Sequence, residues 1–105
     1  MTVVLCGDII DCMIKSYADR ETQRIAEIGN TRRFPQNIVN RAIIRLAMID
    51  TAQNINDLIN PPSNRLEKLH GDRVGQYSIR INNQYRICFK FEDSNAYDVE
   101  IVDYH

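Results

Sequence analysis

The second half of the chain alternates apolar and polar residues with a period of two. The alternation occurs in three segments, Tyr77–Ile81, Arg86–Phe91 and Tyr97–Tyr104. Such a period is typical of β-strands that present one apolar face and one polar face. The sequence therefore predicts an antiparallel sheet whose apolar face packs on helices, while the other face meets solvent or a substrate.

Two helices are predicted ahead of the sheet. Asp19 is a suitable N-cap for a helix that ends near Ile28, and Gly29 is a suitable stop signal. Pro35 fits the first turn of a second helix, which ends near Asp50. The predicted apolar stripe of this second helix comprises Val39, Ala42, Ile43, Leu46, Ala47 and Ile49.

The chain is expected to hold one domain. Residues 1–12 differ in character from the rest of the chain and are interpreted as an N-terminal extension, with the domain at residues 13–105. Ile14–Tyr17 is predicted to form a short first strand, and a helical turn is predicted at Ile55–Leu58 in the connection to the sheet.

The apolar residues of the first two predicted sheet strands fix how those strands pair. Directly opposed residues of an antiparallel pair share a face, so Ile79 must lie opposite Ile87. This register leaves a three-residue loop, Asn82–Gln84, and places Arg80 directly opposite Arg86. Two opposed arginines repel each other, and a bound phosphate would convert that repulsion into a clamp. The alternative is that both side chains extend separately into water.

The same reasoning predicts the register of the second hairpin. It sets Phe91 opposite Tyr97 and brings Tyr104 beside Gln84, near Arg86. The C-terminal residues are therefore expected to join the polar face that carries the two opposed arginines.

Charge is distributed unevenly along the chain. The net charge of -1 argues against a dedicated nucleic-acid binder. Residues 15–45, however, carry seven basic and three acidic residues, and residues 65–90 carry six basic and two acidic residues. Ten of the thirteen basic residues are arginine, which suits bidentate contact with phosphate. The two interpretations left open are phosphate-binding patches and an ordinary solvated surface of mixed charge.

Cofactor chemistry, metal chemistry and secretion are not expected from the sequence. It contains no phosphate-binding glycine motif, nucleophile elbow or zinc-type spacing of cysteine and histidine. No apolar run approaches the roughly 20 residues that span a bilayer, and the start lacks signal-peptide features. Cys6, Cys12 and Cys88 form no C-x-x-C pair, and their odd number fits reduced thiols. We therefore expect a cytoplasmic protein without a membrane partner, cofactor or metal.

The polar face of the predicted sheet collects residue types that suit RNA cleavage. Cleavage without a metal needs a base for the 2′-hydroxyl proton, charge on the phosphate and an acid for the leaving oxygen. Histidine, arginine and tyrosine can supply these functions. The candidates are Arg80, Arg86, Tyr104 and His105, with His70 and Arg73 on the loop before the sheet. The alternatives are a frayed terminus for His105 and a merely local hydrogen bond for His70.

Four segments of the chain carry a specific resemblance to a known family, namely Met13–Asp19, Leu69–Asn82, Gln84–Ile87 and Val102–His105. Together they resemble HigB-type toxins, the plasmid maintenance killer proteins of the RelE toxin superfamily. The combination is much more specific than any single motif, and it extends over residues 13–105. Residues 1–12 lie outside the resemblance, either as an extension or because they come from an upstream start codon.

The resemblance implies a RelE-like α/β (α+β) fold, with an antiparallel sheet and two N-terminal helices packed on one face. It also implies the toxin of a type II toxin–antitoxin system, a metal-independent endoribonuclease that cuts messenger RNA on the ribosome and so inhibits translation. The implied partners are the ribosome, messenger RNA and a HigA-like helix-turn-helix antitoxin, through which alone operator DNA is contacted. Two alternatives are a non-catalytic ribosome- or partner-binding protein of the same fold and a co-repressor that acts only within the antitoxin–operator complex.

The resemblance also implies roles for individual residues. Arg86 would stabilise the scissile phosphate, and Tyr104 would orient the RNA or stack on it. Asp103 and His105 would complete a terminal catalytic group, and Arg73 would hold an RNA backbone.

One position departs from the family pattern. His70 stands where many members have lysine, and a histidine exchanges protons near neutral pH more readily than lysine. We therefore predict a catalytic role for His70, with an altered rate or pH dependence; the alternative is a weakened enzyme. Lys68 lies two residues earlier, on the same side if the stretch is extended, and is predicted with Arg80 to bind RNA.

Overall fold

A computed structural model describes residues 14–29, 31 and 34–103. Two helices precede a sheet whose strands are antiparallel and lie side by side in chain order. The elements are α1 (Arg20–Ile28), α2 (Gln36–Thr51), β1 (Glu67–Lys68), β2 (Gln76–Arg80), β3 (Tyr85–Glu92) and β4 (Asn95–Asp103). Short 3-10 turns occupy Ile55–Leu58, Pro62–Asn64 and Gly71–Arg73. The predicted order of two helices followed by an antiparallel sheet is confirmed.

The predicted first strand lies beside β4 without forming a full strand. Ile14 and Tyr17 each form an isolated parallel bridge with β4, to Ala96 and Val99. The Lys15 amide donates to the Ala96 carbonyl at 2.7 Å. This segment therefore covers the outer edge of β4, which reduces the length of unpaired strand.

Helix α1 begins and ends at the residues that the sequence predicts. The Asp19 carboxylate accepts from the Thr22 amide at 3.2 Å, and Gly29 ends the helix in the left-handed conformation with φ of 78°. The Thr22 hydroxyl oxygen in turn accepts from the Ile101 amide at 2.9 Å. The first turn of α1 is therefore tied directly to β4.

The buried face of α2 differs from the predicted stripe. Ile38, Val39, Ala42, Leu46 and Ile49 are buried. The inclusion of Ile43 and Ala47 was wrong, because Ile43 is 39% exposed and Ala47 is also exposed. The face that contacts the sheet is narrower than the apolar stripe, so one side of that stripe is left on the surface.

The hydrophobic core lies between the helices and one face of the sheet. Phe89, Ile79, Ile87 and Val99 supply fully buried side chains from three strands. Ile25 of α1 and the buried residues of α2 pack against them. Burial of these side chains removes apolar surface from water, which is the main favourable term in folding.

The predicted pairing of Phe91 with Tyr97 is wrong. Phe91 pairs with Ala96, because the register shifts by one residue between Cys88 and Lys90. Asp98, with φ of 54°, is the extra residue of this bulge in β4. The bulge lets two apolar residues three positions apart, Ala96 and Val99, both face the core.

The turn between β3 and β4 is correspondingly tight. Asp93 and Ser94 form it, and both have positive φ, at 51° and 66°. Two left-handed central residues are typical of the type I′ turn, whose twist matches that of the flanking strands. The shorter turn and the bulge together account for the shifted register.

An apolar groove of about 410 Å³ lies between the first segment and the two helices. Ile14, Tyr17, Ile43 and Leu46 line it, with Glu27 and Asp50 among the polar residues. Burial, and then the charges of Asp50 and Glu27, raise the pKa of Tyr17 to about 12.

The raised pKa of Tyr17 predicts a loss of stability at alkaline pH. An unfolded tyrosine ionises near pH ~10, so between about pH 10 and 12 only the unfolded state releases this proton. Stability is therefore fully present below pH ~10 and is lost progressively as the pH rises through that window. We expect Tyr17→Phe to show a shallower fall of the unfolding free energy, measured by urea denaturation across this range. Equal slopes in both proteins would contradict the prediction.

Candidate functional site

The register between β2 and β3 is the one that the sequence predicts. Ile79 pairs with Ile87, and Arg80 pairs directly with Arg86. The Ile81 amide donates to the Tyr85 carbonyl at 2.9 Å, so that pairing continues one step beyond the strands.

The predicted three-residue loop is also confirmed. The Asn82 side-chain oxygen accepts from the amides of Gln84 and Tyr85, both at 2.8 Å. These bonds close the loop locally and fix the end of the hairpin.

A polar pocket of about 340 Å³ opens at this end of the sheet. Its lining residues are Arg65, Glu67, Arg80, Asn82, Asn83 and Arg86. Its volume lies at the lower end of the range of small-ligand sites, about 300–1,000 Å³. Three arginines and one glutamate line it, so the pocket has a positive balance that suits an anion.

Arg86 forms the rigid part of the pocket. The residue is only 8% exposed, and its Nε donates to the Ser78 hydroxyl oxygen at 2.8 Å. Its Nη2 donates to the Arg65 carbonyl oxygen. A buried charge is tolerated only when it is paired and hydrogen-bonded, so these acceptors fix both the position and the orientation of the guanidinium.

Arg65 and Glu67 act on Arg86 in different ways. Arg65 adopts a left-handed conformation, with φ of 45°, at the residue whose carbonyl accepts from Arg86. The Glu67 carboxylate lies 3.8 Å from Arg86 Nη2, and its side chain is 57% exposed. An exposed and distant ion pair of this kind contributes little and exchanges readily with water or another anion.

Arg80 has its own acceptors within the loop. Its Nε donates to the Asn82 carbonyl at 3.0 Å, and its Nη2 donates to the Asn83 side-chain oxygen. The opposed arginines therefore do not extend separately into water, because protein acceptors hold each guanidinium. Both line the same pocket.

Arg73, which was predicted to contact RNA, does not line the pocket. Arg73 Nη1 donates to the Glu100 carboxylate at 3.0 Å and to the Gln76 side-chain oxygen at 3.1 Å. Both contacts lie within the sheet region, so Arg73 fastens the 3-10 turn Gly71–Arg73 to β4.

His70 and Lys68 also lie outside the pocket. His70 is exposed and is the N-cap residue of the turn Gly71–Arg73. Lys68 pairs with Tyr77, which places it on the side of the sheet that packs on the helices. Glu67, its neighbour in β1, pairs with Ser78 and so shares the face of Arg86.

Of the predicted terminal group, only Asp103 is described. It lies opposite Tyr85 at the end of β4 and accepts from Gln84 Nε2 at 3.2 Å. Tyr104 and His105 lie outside the described residues. Asp103 brings the end of β4 beside the residue that precedes Arg86 in β3.

Five residues of the site were not predicted from the sequence, namely Ser78, Arg65, Glu67, Asn82 and Asn83. Ser78, Asn82 and Asn83 belong to segments that were predicted correctly, but nothing in the sequence marks their contacts with the arginines. Arg65 and Glu67 belong to a segment whose strand, β1, is only two residues long. A strand of this length carries no alternation, and the basic surplus of residues 65–90 was the single available signal.

Other kinds of site are less well supported. Within residues 14–29, 31 and 34–103, no group of three histidine, cysteine or carboxylate side chains is placed to hold a metal ion. No helix in the same ranges is long and apolar enough to cross a bilayer. Burial raises the pKa of the Cys88 thiol, which disfavours the reactive thiolate form.

Comparison with known proteins gives consistent family matches. Residues 15–105 match the HigB-like toxin family, described as the RelE-like toxin of the type II toxin–antitoxin system HigB. The chain is 39% identical over 93 residues to an endoribonuclease HigB of Proteus vulgaris, covering 89% of this chain and 100% of that relative. It is 43% identical over 85 residues to toxin HigB-1 of Vibrio cholerae serotype O1, covering 80% and 90% of the two chains.

Solved structures show the same fold at low sequence identity. A chain of the YoeB–YefM complex from Staphylococcus aureus superposes with a TM-score of 0.58 at 20% identity, covering 88% of this chain and 97% of that one. The YoeB dimer from the same organism gives a TM-score of 0.57 at 21% identity, covering 90% and 97%. These structures support the RelE/YoeB-like fold and nothing more specific.

The role of Ser78 can be tested through stability. We expect Ser78→Ala to lower the free energy of unfolding by about 1–3 kcal/mol, because it removes an acceptor from a buried guanidinium. Urea denaturation measures the change. Ser63→Ala is the matched control, since Ser63 is exposed and its loss should cost no more than about 0.5 kcal/mol. Equal effects of the two substitutions would contradict the assignment.

Proposed function

The chain belongs to the HigB-like family of RelE-like toxins from type II toxin–antitoxin systems, and on this premise we propose that it is an endoribonuclease toxin. It would cut messenger RNA at the polar pocket lined by Arg65, Arg80 and Arg86, which we call the arginine pocket. The observation that carries this proposal is the pairing of Arg80 with Arg86 at a pocket lined by three arginines and one glutamate. Such a pocket suits a phosphate whose negative charge grows in the transition state.

Arg86 is proposed to stabilise the scissile phosphate. Electrostatic stabilisation is most effective when the charged group is already oriented before the reaction. The bonds to Ser78 and to the Arg65 carbonyl supply that orientation. The phosphate would displace the exposed carboxylate of Glu67 from its weak contact with Arg86. Arg80, held by the loop, would bind the same phosphate or the next one.

The proton transfers are proposed to involve the C-terminal residues. Asp103 lies at the end of β4 opposite Tyr85, beside the start of the strand that carries Arg86. We propose that His105 moves a proton and that Tyr104 orients or stacks on the RNA. His70, on an exposed turn before β2, remains the second proposed proton carrier.

The other predicted RNA contacts are supported unequally. Lys68 is exposed at the sheet edge and is free to approach a backbone from the helix side. Arg73 is occupied by Glu100, which favours a structural role with at most a secondary contact to RNA. Neither lines the pocket in which we propose that the chemistry occurs.

We propose that the enzyme depends on the ribosome and needs no metal. The net charge of -1 gives the protein little long-range attraction for free RNA. A ribosome that presents the messenger would remove the need for a strong basic field. Attack by the 2′-hydroxyl requires only a base, an acid and charge on the phosphate, and side chains can supply all three.

The proposed partner is an antitoxin, as expected for the toxin of a type II system. We propose a HigA-like helix-turn-helix protein that neutralises the toxin and contacts operator DNA. The toxin itself would meet operator DNA only through this complex.

The first test concerns Arg86. We expect Arg86→Lys, which keeps the charge but loses the planar set of donors, to lower messenger cleavage at least about 100-fold. The measurement is mapping of transcript 5′ ends after incubation with ribosomes. Lys90→Gln is the matched control, since Lys90 is an exposed basic residue of the same strand. Cleavage by Arg86→Lys at the rate of the control would contradict the proposed role.

The second test concerns ribosome dependence. We expect the wild-type protein to cut a messenger that is bound to ribosomes and to leave the same naked RNA largely intact. Comparison of the two substrates at equal RNA concentration measures the dependence. Efficient cutting of the naked RNA would contradict the proposed dependence.

A second candidate function is ribosome binding without catalysis. The observation in its favour is the burial of Arg86, whose guanidinium already contacts protein acceptors. That function predicts ribosome binding by both the wild-type protein and Arg86→Lys, with no new transcript ends from either. The same 5′-end mapping therefore separates the two functions.

A further inference from the structure

Two arginines of α2 reach the loop end of β2 from the helix side. Arg41 Nη1 donates to the Ile81 carbonyl at 3.2 Å, and Arg45 Nε donates to the Arg80 carbonyl at 3.1 Å. Arg80 and the residue after Ile81, Asn82, both line the arginine pocket. The guanidinium groups of α2 therefore lie at the loop end of β2, on the helix side of the sheet, and the pocket opens on the other face of the same chain segment.

These two arginines form a like-charge pair. Residues four apart on a helix are neighbours, and like charges at this spacing destabilise the helix. Burial, and then the charge of Arg41, lower the pKa of Arg45. The helix carries no acidic residue from Gln36 to Ile49 that could offset them. Within the described residues, ion pairs are found for Arg73, Arg86 and Lys90, and none is found for Arg41 or Arg45.

Hydrogen bonds to carbonyl groups hold the pair in place without neutralising it. Arg45 Nη2 also lies 3.5 Å from the Ser63 hydroxyl, so the side chain spans from the 3-10 turn Pro62–Asn64 to β2. Arg41 is exposed. One N–H group is enough to bond a carbonyl, so these hydrogen bonds do not by themselves require arginine at both positions. Two neighbouring positive charges, in contrast, suit a polymer that carries a negative charge on every phosphate.

We propose that Arg41 and Arg45 form a second phosphate-binding site, which holds the RNA backbone where it passes from the pocket over the end of β2 onto α2. The proposal rests on the proposed function, since it assumes that RNA occupies the pocket. It brings to five the number of arginines proposed to meet RNA at this end of the sheet, namely Arg41, Arg45, Arg65, Arg80 and Arg86. The ligand is a phosphodiester backbone, read through charge and without base contacts.

The RNA backbone that occupies this site has two sources. It belongs either to the messenger strand that is cut or to ribosomal RNA beside it. Both present the same phosphodiester chemistry, so the experiment must include a substrate for each.

The test measures binding separately from cleavage. The probes are an uncleavable 2′-O-methyl oligoribonucleotide and purified ribosomes, each titrated between about 50 and 200 mM salt. The variant is Arg41→Gln/Arg45→Gln. The matched control is Arg20→Gln/Arg24→Gln, because these arginines are also four residues apart and exposed, on α1.

We expect the α2 variant to bind about tenfold or more weakly at the lower salt concentration. The slope of log affinity against log salt should fall by about 1.4, since each lost phosphate contact on a single strand contributes about 0.7. The control should keep the wild-type slope. Arg41→Lys/Arg45→Lys should recover most of the slope, because lysine keeps the charge but not the carbonyl geometry.

The probes distinguish the two sources. A loss seen with the oligoribonucleotide assigns the site to the messenger, and a loss seen only with ribosomes assigns it to ribosomal RNA. Either result supports the site. Unchanged affinity and slope with both probes would overturn it, as would an equal loss in the α1 control.

Two further readouts keep the result interpretable. If the double variant does not fold, Arg41→Gln alone should lower the slope by about 0.7, since Arg41 is exposed. If wild-type protein cuts no messenger on ribosomes, the proposed function fails, but the binding titration still reports on the arginines. Failure of this site and failure of the proposed function are therefore distinguishable.

Discussion

Arg86 holds a permanent charge in a position where only 8% of the residue is exposed, and the candidate site depends on how that charge is accommodated. Withdrawal of a guanidinium from water costs several kcal/mol unless acceptors replace the lost hydration. Those acceptors come from Ser78 in β2 and from the Arg65 backbone ahead of β1. One buried side chain thereby fixes three chain segments relative to each other. The pocket lies where they meet, so its shape and its charge have the same physical origin.

The helical layer supports this site from the opposite face of the sheet. The core residues of α2 belong to the same buried cluster as Ile79 and Ile87, which alternate with Arg80 and Arg86 along β2 and β3. Arg45 of α2 then reaches the end of β2 and binds its carbonyl. Alternate side chains of β2 and β3 point to opposite faces of the sheet, so the same two strands position both the packed isoleucines and the arginines. A change in register would exchange the two faces and abolish both.

The distribution of charge agrees with the proposal that the toxin acts on RNA presented by the ribosome. The chain as a whole is close to neutral, yet guanidinium groups gather at one end of the sheet. Such an arrangement gives strong local attraction for phosphate and weak long-range attraction for free nucleic acid. Glu67, with its exposed carboxylate 3.8 Å from Arg86, balances part of this charge. Membership of the HigB-like family and the geometry of the pocket thus both support cleavage of RNA.

Elements that carry a periodic or capping signal can be predicted from the order of residues alone. The ends of α1, the three-residue loop at Asn82–Gln84 and the opposition of Arg80 to Arg86 all follow from local rules of spacing and pairing. Tertiary structure alone decided which side chains complete the site. Arg65 and Glu67 lie in a segment too short to show alternation, and Arg73 is held by Glu100, 27 residues away. The bulge at Asp98 is likewise set by the need of two apolar residues to face the core. Contacts of this kind depend on packing between distant segments, for which a linear pattern of residues contains no signal.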